Sequence, residues 1–251
     1  MSIRTTSLAA LVAAGLAAGC AGHTHYDPFL VPQARIYGSV KTIALAPITA
    51  PDELGGGDLK RGKFDTLLAA QLREAGFTVV PAEASAAIWK HVTDSLGGMF
   101  DATTGARDTV KLNVARATAM AELRSQFQAD GWLHSRIVFA EAKFDQGDAQ
   151  WDGAKQTYQS FGKKFLTAMF GGGTKGRTAA LSVWVDLEDM RGKDLYINQG
   201  GLQLYLVPSG HDWVKILPGE LYADAARNAT AVRLALAPLV TRTPAGGTSK
   251  P

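Results

Sequence analysis

The residue whose chemistry stands out is Cys20, the only cysteine in the 251-residue chain. It follows Arg4, an uncharged apolar run from Leu8 to Leu16 and three small residues at 17–19. A positive start, a short apolar run and small residues before a cleavage point are the three parts of an export signal. The run is shorter than the about 20 apolar residues of a membrane-spanning helix. With no second cysteine, Cys20 has no disulfide partner within the chain.

The segment Leu16-Ala17-Ala18-Gly19-Cys20 resembles the lipobox of bacterial lipoproteins, in which a peptidase cuts before a cysteine that already carries diacylglycerol. The family usually has Leu or Val three residues before the cysteine, where this chain has Ala17. The resemblance implies that residues 1–19 are a signal peptide. It also implies that Cys20 carries a thioether-linked diacylglycerol and an N-acyl chain such as palmitate. Three chains hold a protein firmly because each buried methylene contributes about 0.8 kcal/mol.

Ala21, rather than Asp, follows this cysteine, which resembles the lipoproteins that enteric-type bacteria pass on to the outer membrane. We therefore expect a cell-envelope protein, at the outer membrane and facing the periplasm, with its membrane contact made through Cys20. The alternative is an ordinary signal peptide that contains a cysteine and is cut near Ala21, which would leave no lipid anchor.

The charge balance argues against a nucleic-acid partner. The chain has 26 basic and 23 acidic side chains, and removal of residues 1–19 would take away Arg4 alone and leave a net charge of +2. A nearly neutral chain lacks the basic field that nucleic-acid binding needs, so we expect no nucleic-acid partner. Its apolar content of 46% is ordinary for a globular protein.

The common catalytic patterns are absent from the sequence: it has no Gly-x-Ser-x-Gly, no His-Glu-x-x-His and no Cys-x-x-Cys. The stretch Gly171-Gly-Gly-Thr-Lys-Gly176 lacks the Gly-Lys-Ser/Thr end of a phosphate-binding loop, so we interpret it as a flexible loop. His23 and His25 have no third metal ligand nearby, which favours a solvated linker. We therefore expect a protein without catalytic residues, cofactor or metal.

Some titratable residues remain as weaker candidates. Asp186 and Glu188 share one face of a predicted strand, and Asp189 follows at its end. A paired-acid site is one interpretation of these carboxylates, and exposed, solubilising charge is the interpretation we favour. His91, His134 and His211 are isolated in the sequence, so we expect surface or structural roles for them.

The segment from Tyr158 to Phe170 has an amphipathic pattern. Its apolar side chains approximate one face of a helix, beside Lys163 and Lys164. The interpretation we favour is a helix that packs on its own domain. The alternative is an amphipathic arm that contacts a partner or the membrane interface. The contact residues of such an arm would be Phe161, Phe165, Met169 and Phe170.

Apolar periodicity predicts the order β-α-β-α-α-β-β-β-α. The expected strands are 41–47, 77–80, 132–144, 181–187 and 195–207, and the expected helices are 64–75, 83–96, 108–128 and 220–239. Helices between the early strands favour parallel pairing there, whereas the late hairpin is antiparallel. We therefore predict an α/β (α+β) single domain with a mixed sheet of about five strands flanked by about four helices.

The sequence also predicts the boundaries of the tether, the domain and the tail. Residues 20–37, with Pro28 and Pro32, are predicted to be a tether. The domain is expected over 38–240, with a glycine-rich excursion at 145–178, and 241–251 is predicted to be a disordered tail.

This layout behind a lipobox resembles periplasmic α/β domains of the type found in the curli secretion lipoprotein CsgG and in the N-terminal domain of TolB. The resemblance rests on Lys41-Thr-Ile-Ala-Leu-Ala-Pro47, the helix and strand over 64–77, the hairpin over 181–206 and the closing helix. It implies a non-enzymatic adaptor or accessory component of an envelope assembly or secretion complex with a protein partner. The alternatives are a periplasmic binding protein for a small ligand or cell-wall component, and an envelope hydrolase.

Overall fold

The computed structural model describes residues 26–54, 61–101, 103–145, 148–157, 175–209, 212–217 and 220–241. In chain order the elements are α1 (Gln33–Ser39), β1 (Thr42–Leu45), a 3-10 turn (Asp52–Leu54), α2 (Arg61–Glu74), β2 (Thr78–Val80), α3 (Ala82–Ser95), α4 (Thr109–Phe127), β3 (Gly131–Asp145), β4 (Asp148–Trp151), β5 (Ala154–Thr157), β6 (Lys175–Asp189), β7 (Asp194–Leu204), β8 (Leu206–Ser209), β9 (Asp212–Lys215) and α5 (Ala225–Val240).

The main sheet is mixed, as predicted. β1 pairs in parallel with β2 and with the start of β3, because helices return the chain to the same end of the sheet between them. β6 runs antiparallel to the whole of β3, and β7 runs antiparallel to β6. At the end of the sheet where β1 pairs with β3, the strand order is therefore β2-β1-β3-β6-β7.

The far end of β3 carries a hairpin that the sequence analysis did not predict. β4 pairs with β3 over residues 143–145, and β5 pairs with β4. The turn is Asp152-Gly153, both with positive φ (41° and 76°), which is the backbone that a two-residue hairpin turn requires. The first part of the predicted excursion at 145–178 is thus part of the sheet.

The hairpin tip folds back over the sheet. Ser182 of β6 donates a 2.5 Å hydrogen bond to the Asp152 carboxylate, and the Gly201 backbone N–H of β7 donates to the Asp152 carbonyl oxygen. A Cβ on Gly201 would lie 2.5 Å from the Ala154 Cβ, so glycine is what permits this close approach. The sheet therefore curls at this end.

The principal core lies on one face of the sheet, between β3, β6 and β7 on one side and α1, α2 and α5 on the other. Its members on β3 and β6 alternate with the side chains of the opposite face, as expected for strands. We call this the core face; its central residues are Leu133, Ile137, Val183, Val185 and Leu187, all buried. α3 and α4 cover part of the opposite face with a smaller core around Val92, Leu123 and Trp132.

The expected start of α4 is confirmed, whereas the position of a bulge and the number of helices differ from the prediction. α4 begins after Asp108, whose side chain accepts hydrogen bonds from the Val110 and Lys111 backbone N–H groups, and its C-cap Gln128 is left-handed. The bulge expected at Gly200-Gly201 lies one residue later, because Leu181 pairs with Gln203 and Ser182 with Gly201. Within the described residues there are five α-helices, one more than the four expected.

The start of the domain, expected at residue 38, is wrong. Residues from Pro28 onward pack on the domain: Ile36 is fully buried, and the Tyr37 hydroxyl donates to the Leu239 carbonyl oxygen at 2.6 Å. The two prolines suggested a tether, but Val31 and Ile36 bury their side chains in the principal core. Of the tail predicted at 241–251, residues 242–251 lie outside the described residues.

Candidate functional site

The register of β3 and β6 brings charged and aromatic residues together. Three cross-strand pairs point to the face opposite the core face, since side chains two apart share a face. We call this set the ionic face; its pairs are Trp132 with Glu188, His134 with Asp186, and Arg136 with Trp184. α4 borders it at one end.

Glu188 is the centre of the ionic face and is fully buried. Its Oε2 accepts a hydrogen bond from the Arg116 guanidinium of α4, and its Oε1 lies 2.7 Å from His134 Nε2. A buried carboxylate is strongly disfavoured unless it is paired and hydrogen-bonded, so these two partners are what permit its burial. Both carboxylate oxygens are therefore engaged by the protein itself.

Asp186, two residues earlier on the same face, is in a different position. It is half-buried, and its Oδ1 has no hydrogen-bond partner among the described residues. The pKa of Asp186 is raised to about 6, first by burial and then by the nearby Asp194 carboxylate, against the opposing effect of His134. Glu188 also raises this pKa and Arg116 lowers it. Asp186 thus changes charge close to neutral pH.

Aromatic rings frame these charges. The Arg136 guanidinium carbon lies 3.8 Å from the ring centre of Trp184, which is a cation–π contact. The Trp132 ring lies 4.5 Å from the His134 ring and 6.2 Å from the Trp89 ring of α3. The Trp132 indole N–H is buried without a partner in the part of the chain that the structure describes.

The expectation that these carboxylates are exposed, solubilising charge is wrong for Glu188 and incomplete for Asp186. His134, for which a surface or structural role was expected, pairs with the buried Glu188 carboxylate. His91 is exposed, as expected. Strand alternation placed Asp186 and Glu188 on one face, but nothing local in the sequence indicated Arg116 as the partner of Glu188.

A second surface with unusual character lies on the solvent side of α4. We call it the α4 stripe: Val110, Val114, Ala117 and Ala121, spaced by four, three and four residues and all exposed. Val110 is 71% and Val114 47% exposed. Because the helix also buries Ala115, Ala119, Met120 and Leu123, it is apolar on two sides. The preceding loop adds exposed Phe100.

The α4 stripe was not predicted from the sequence. The spacing of Val110, Val114, Ala117 and Ala121 was visible in the sequence, but it indicates a second apolar side only when the buried side has been assigned.

The other sequence-predicted site residues cannot be placed. Cys20, Phe161, Phe165, Met169 and Phe170 lie outside the described residues, as do His23, His25, His211 and the loop at 171–174. In the described ranges, no group of three or more His, Cys, Asp or Glu side chains is arranged to hold a metal ion. None of the described helices combines the length and the apolar character that a bilayer crossing requires.

Two open cavities lie around the β4–β5 hairpin. One, of about 540 Å³, is lined by hairpin residues from Gln150 to Lys155 together with Glu141 and Lys143. Another, of about 430 Å³, lies between the N-terminal segment and the hairpin tip and is lined by Tyr26, Asp152, Gly153, Asn198, Gln199 and Leu234. Both are open to solvent.

Comparison with known proteins gives little further information. No family model matches the chain, and no curated protein matches it. Among solved structures, the chain is similar to the crystal structure of lipoprotein GNA1162 from Neisseria meningitidis, with 19% sequence identity over 65% of this chain and 80% of that chain and a TM-score of 0.31. The resemblance to the CsgG and TolB type stays a prediction.

Proposed function

We propose that the chain is a lipid-anchored lipoprotein of the cell envelope, held at the outer membrane through Cys20 and facing the periplasm. We propose further that it acts as a non-enzymatic adaptor or accessory component of an envelope assembly or secretion complex. The observation that carries the binding role is the α4 stripe. A helix that packs one apolar side on its own core and exposes a second one has a surface suited to another protein.

Charges beside the stripe indicate what kind of partner fits. Arg107 and Arg124 are exposed, and Lys111 is partly exposed, whereas Glu122 is the acidic residue along the same helix. A partner whose apolar ridge is bordered by acidic side chains would be complementary to this surface. Anchoring through Cys20 would restrict encounters to the membrane plane and raise the effective concentration for membrane-bound partners.

The ionic face supports a structural role better than a catalytic one. Glu188 is fully buried and its two oxygens are engaged by Arg116 and His134, which favours a structural role for this carboxylate. Asp186 is the observation that favours the alternatives, a binding protein for a small ligand or cell-wall component, or a hydrolase, because a pKa of about 6 suits proton transfer near neutral pH.

The test is photo-crosslinking in intact cells. A photoreactive amino acid is placed at Val110 or Val114, and for comparison at Val214, which is also an exposed valine but lies on β9. We expect both α4 positions to crosslink to the same envelope protein and position 214 not to do so. The Val114→Asp substitution, placed on the exposed side, should abolish the crosslink from position 110 without changing the unfolding midpoint.

The same cells separate the alternatives. An adaptor should lose its cellular role with Val114→Asp and keep it with Asp186→Asn, provided that both variants fold. Loss of the role with Asp186→Asn alone, together with crosslinks from 110 and 114 no stronger than from 214, would overturn the adaptor and favour the ionic face as the functional site.

A further inference from the structure

The N-terminal segment is built into the sheet edge. The Leu30 backbone N–H donates to the Leu195 carbonyl oxygen at 3.0 Å, and the Ile197 N–H donates to the Pro28 carbonyl oxygen at 2.9 Å. The Phe29 ring lies 5.2 Å from the Tyr196 ring. Residues 28–30 therefore cover the outer edge of β7, which would otherwise expose unpaired backbone groups.

This attachment leaves a short connection to Cys20. Tyr26 is still held by the domain, since its hydroxyl donates to the Ile197 carbonyl oxygen at 3.2 Å. Five residues lie between Cys20 and Tyr26, and the six steps from one Cα to the next reach at most about 20 Å when fully extended. An acylated Cys20 would thus keep the β7 edge within about 20 Å of the bilayer, whatever conformation the connection takes.

The side chains at this edge suit a lipid surface. Tyr26 is 61% and Leu30 51% exposed, while Phe29 between them packs on the domain. Tyrosine is favoured at the headgroup level of membranes, where its ring meets hydrocarbon and its hydroxyl meets water. Asp27 and Asp152, both exposed, place acidic side chains close to Tyr26.

We propose that Tyr26 and Leu30 form a membrane-contacting surface, held by the short connection from acylated Cys20 against the lipid headgroups with the β7 edge facing the bilayer. The proposal rests on the proposed lipid anchor and adds an orientation to it. The contact is apolar and interfacial, so raising the salt concentration should not release it. The opposite edge of the sheet, at β2, then faces away from the membrane.

The orientation can be measured with fluorescent labels on the acylated full-length protein. Because the thioether consumes the Cys20 thiol, a cysteine introduced by Tyr26→Cys, Leu30→Cys or Lys90→Cys is the one reactive thiol. Lys90 is the control, exposed on α3, which follows the β2 edge strand. The labelled proteins are reconstituted in vesicles of phosphatidylethanolamine and phosphatidylglycerol that contain a lipid with a quenching headgroup.

We expect quenching at positions 26 and 30 to exceed that at position 90 by at least about threefold, because about 19 Å of sheet width separates the β7 and β2 edges. Equal quenching at the three positions, or stronger quenching at 90, would overturn the orientation. A flexible insert of about twelve Gly and Ser residues between Cys20 and Tyr26 should lower quenching at 26 by half or more while the protein still floats with the vesicles. Unchanged quenching with the insert would overturn the role of the short connection.

The experiment also distinguishes this inference from the anchor on which it rests. Mass spectrometry of the purified protein reads acylation, and flotation reads membrane attachment. A protein without acyl chains overturns both the anchor and the orientation. An acylated protein that floats but shows equal quenching at 26 and 90 overturns the orientation alone.

Discussion

On the core face of the β3–β6 pair, Leu133, Ile137 and Val183 are all buried, whereas the ionic face of the same two strands buries only Trp132 and Glu188 of its six residues. The core face is stabilised by apolar burial, which needs volume and shape but no particular partner. The ionic face is stabilised by defined pairs, and each pair fails if one member is lost. The β3–β6 pair thus has one face that tolerates substitution and another that depends on particular pairs of residues.

The largest loss of stability is expected where the core face leaves no space for a side chain. A Cβ on Gly200 of β7 would lie 2.1 Å from the Ala231 carbonyl oxygen and 2.5 Å from the Ala235 nitrogen, both backbone atoms of α5. Gly200→Ala would therefore push the helix off the sheet, and we expect a loss of about 3 kcal/mol in the free energy of unfolding. Urea denaturation of the purified protein measures it.

The matched control is Gly38→Ala in α1, where a Cβ would meet nothing within 4 Å. That variant should be unchanged or more stable by about 0.5–1 kcal/mol, since alanine has the better helix propensity. If Gly200→Ala cost no more than about 1 kcal/mol, α5 would be able to shift, and the core face would be still more tolerant than its packing indicates.

Substitutions on the ionic face should give the next largest losses in the free energy of unfolding. The size of the loss should depend on which member of a pair is replaced. Arg116→Met leaves the fully buried Glu188 with His134 alone, and we expect a loss of about 2–3 kcal/mol, below the full range for buried pairs because Arg116 is half-exposed. Glu188→Gln should cost less, because Arg116 and His134 both reach solvent and can be hydrated there. Chemical denaturation of both variants tests this order.

A double variant sharpens the comparison of the two faces. Arg116→Met combined with Glu188→Leu replaces the buried charge by apolar groups, and such replacements are often neutral or stabilising. We expect the double variant to be more stable than Arg116→Met alone. Strictly additive losses would show that Arg116 and Glu188 act independently, against the contact between them.

The same contrast explains what could be predicted from the sequence. The core face was predictable because Leu181, Val183, Val185 and Leu187 alternate with the other face within a single strand, which is a local pattern. Glu188 is 72 residues from Arg116 and 54 from His134, so their contact depends on strand register and helix placement together. No local pattern encodes such a contact.

Two misses had local causes. The hairpin at Asp152-Gly153 carries a strong turn signal, but the glycine-rich surroundings led to the prediction of an excursion. The N-terminal segment was predicted to be a tether because of Pro28 and Pro32. Proline is also tolerated at a sheet edge and before a helix, and this segment uses both positions.

The smallest change in the free energy of unfolding is expected for a substitution of Asp186, and its dependence on pH is what identifies it. Its pKa is raised from 3.8 to about 6, first by burial and also by the Asp194 and Glu188 carboxylates, whereas His134 and Arg116 lower it. A raised carboxyl pKa means that the folded state holds the proton more tightly than the unfolded state. Its stabilising effect is full below pH 3.8 and is lost as the pH rises through 6. Above that, the ionised Asp186 destabilises the fold.

Asp186→Asn should therefore stabilise the protein at pH 7.5 by about 1 kcal/mol, a value kept low because the half-exposed side chain is screened by water. The gain should shrink between pH 6 and pH 3.8 and vanish below. Glu141→Gln, which breaks the exposed pair with Arg177, is the control and should change stability by less than about 0.5 kcal/mol at either pH. A gain from Asp186→Asn that is equal at pH 4 and pH 7.5 would show that the charge of Asp186 is not what destabilises this position.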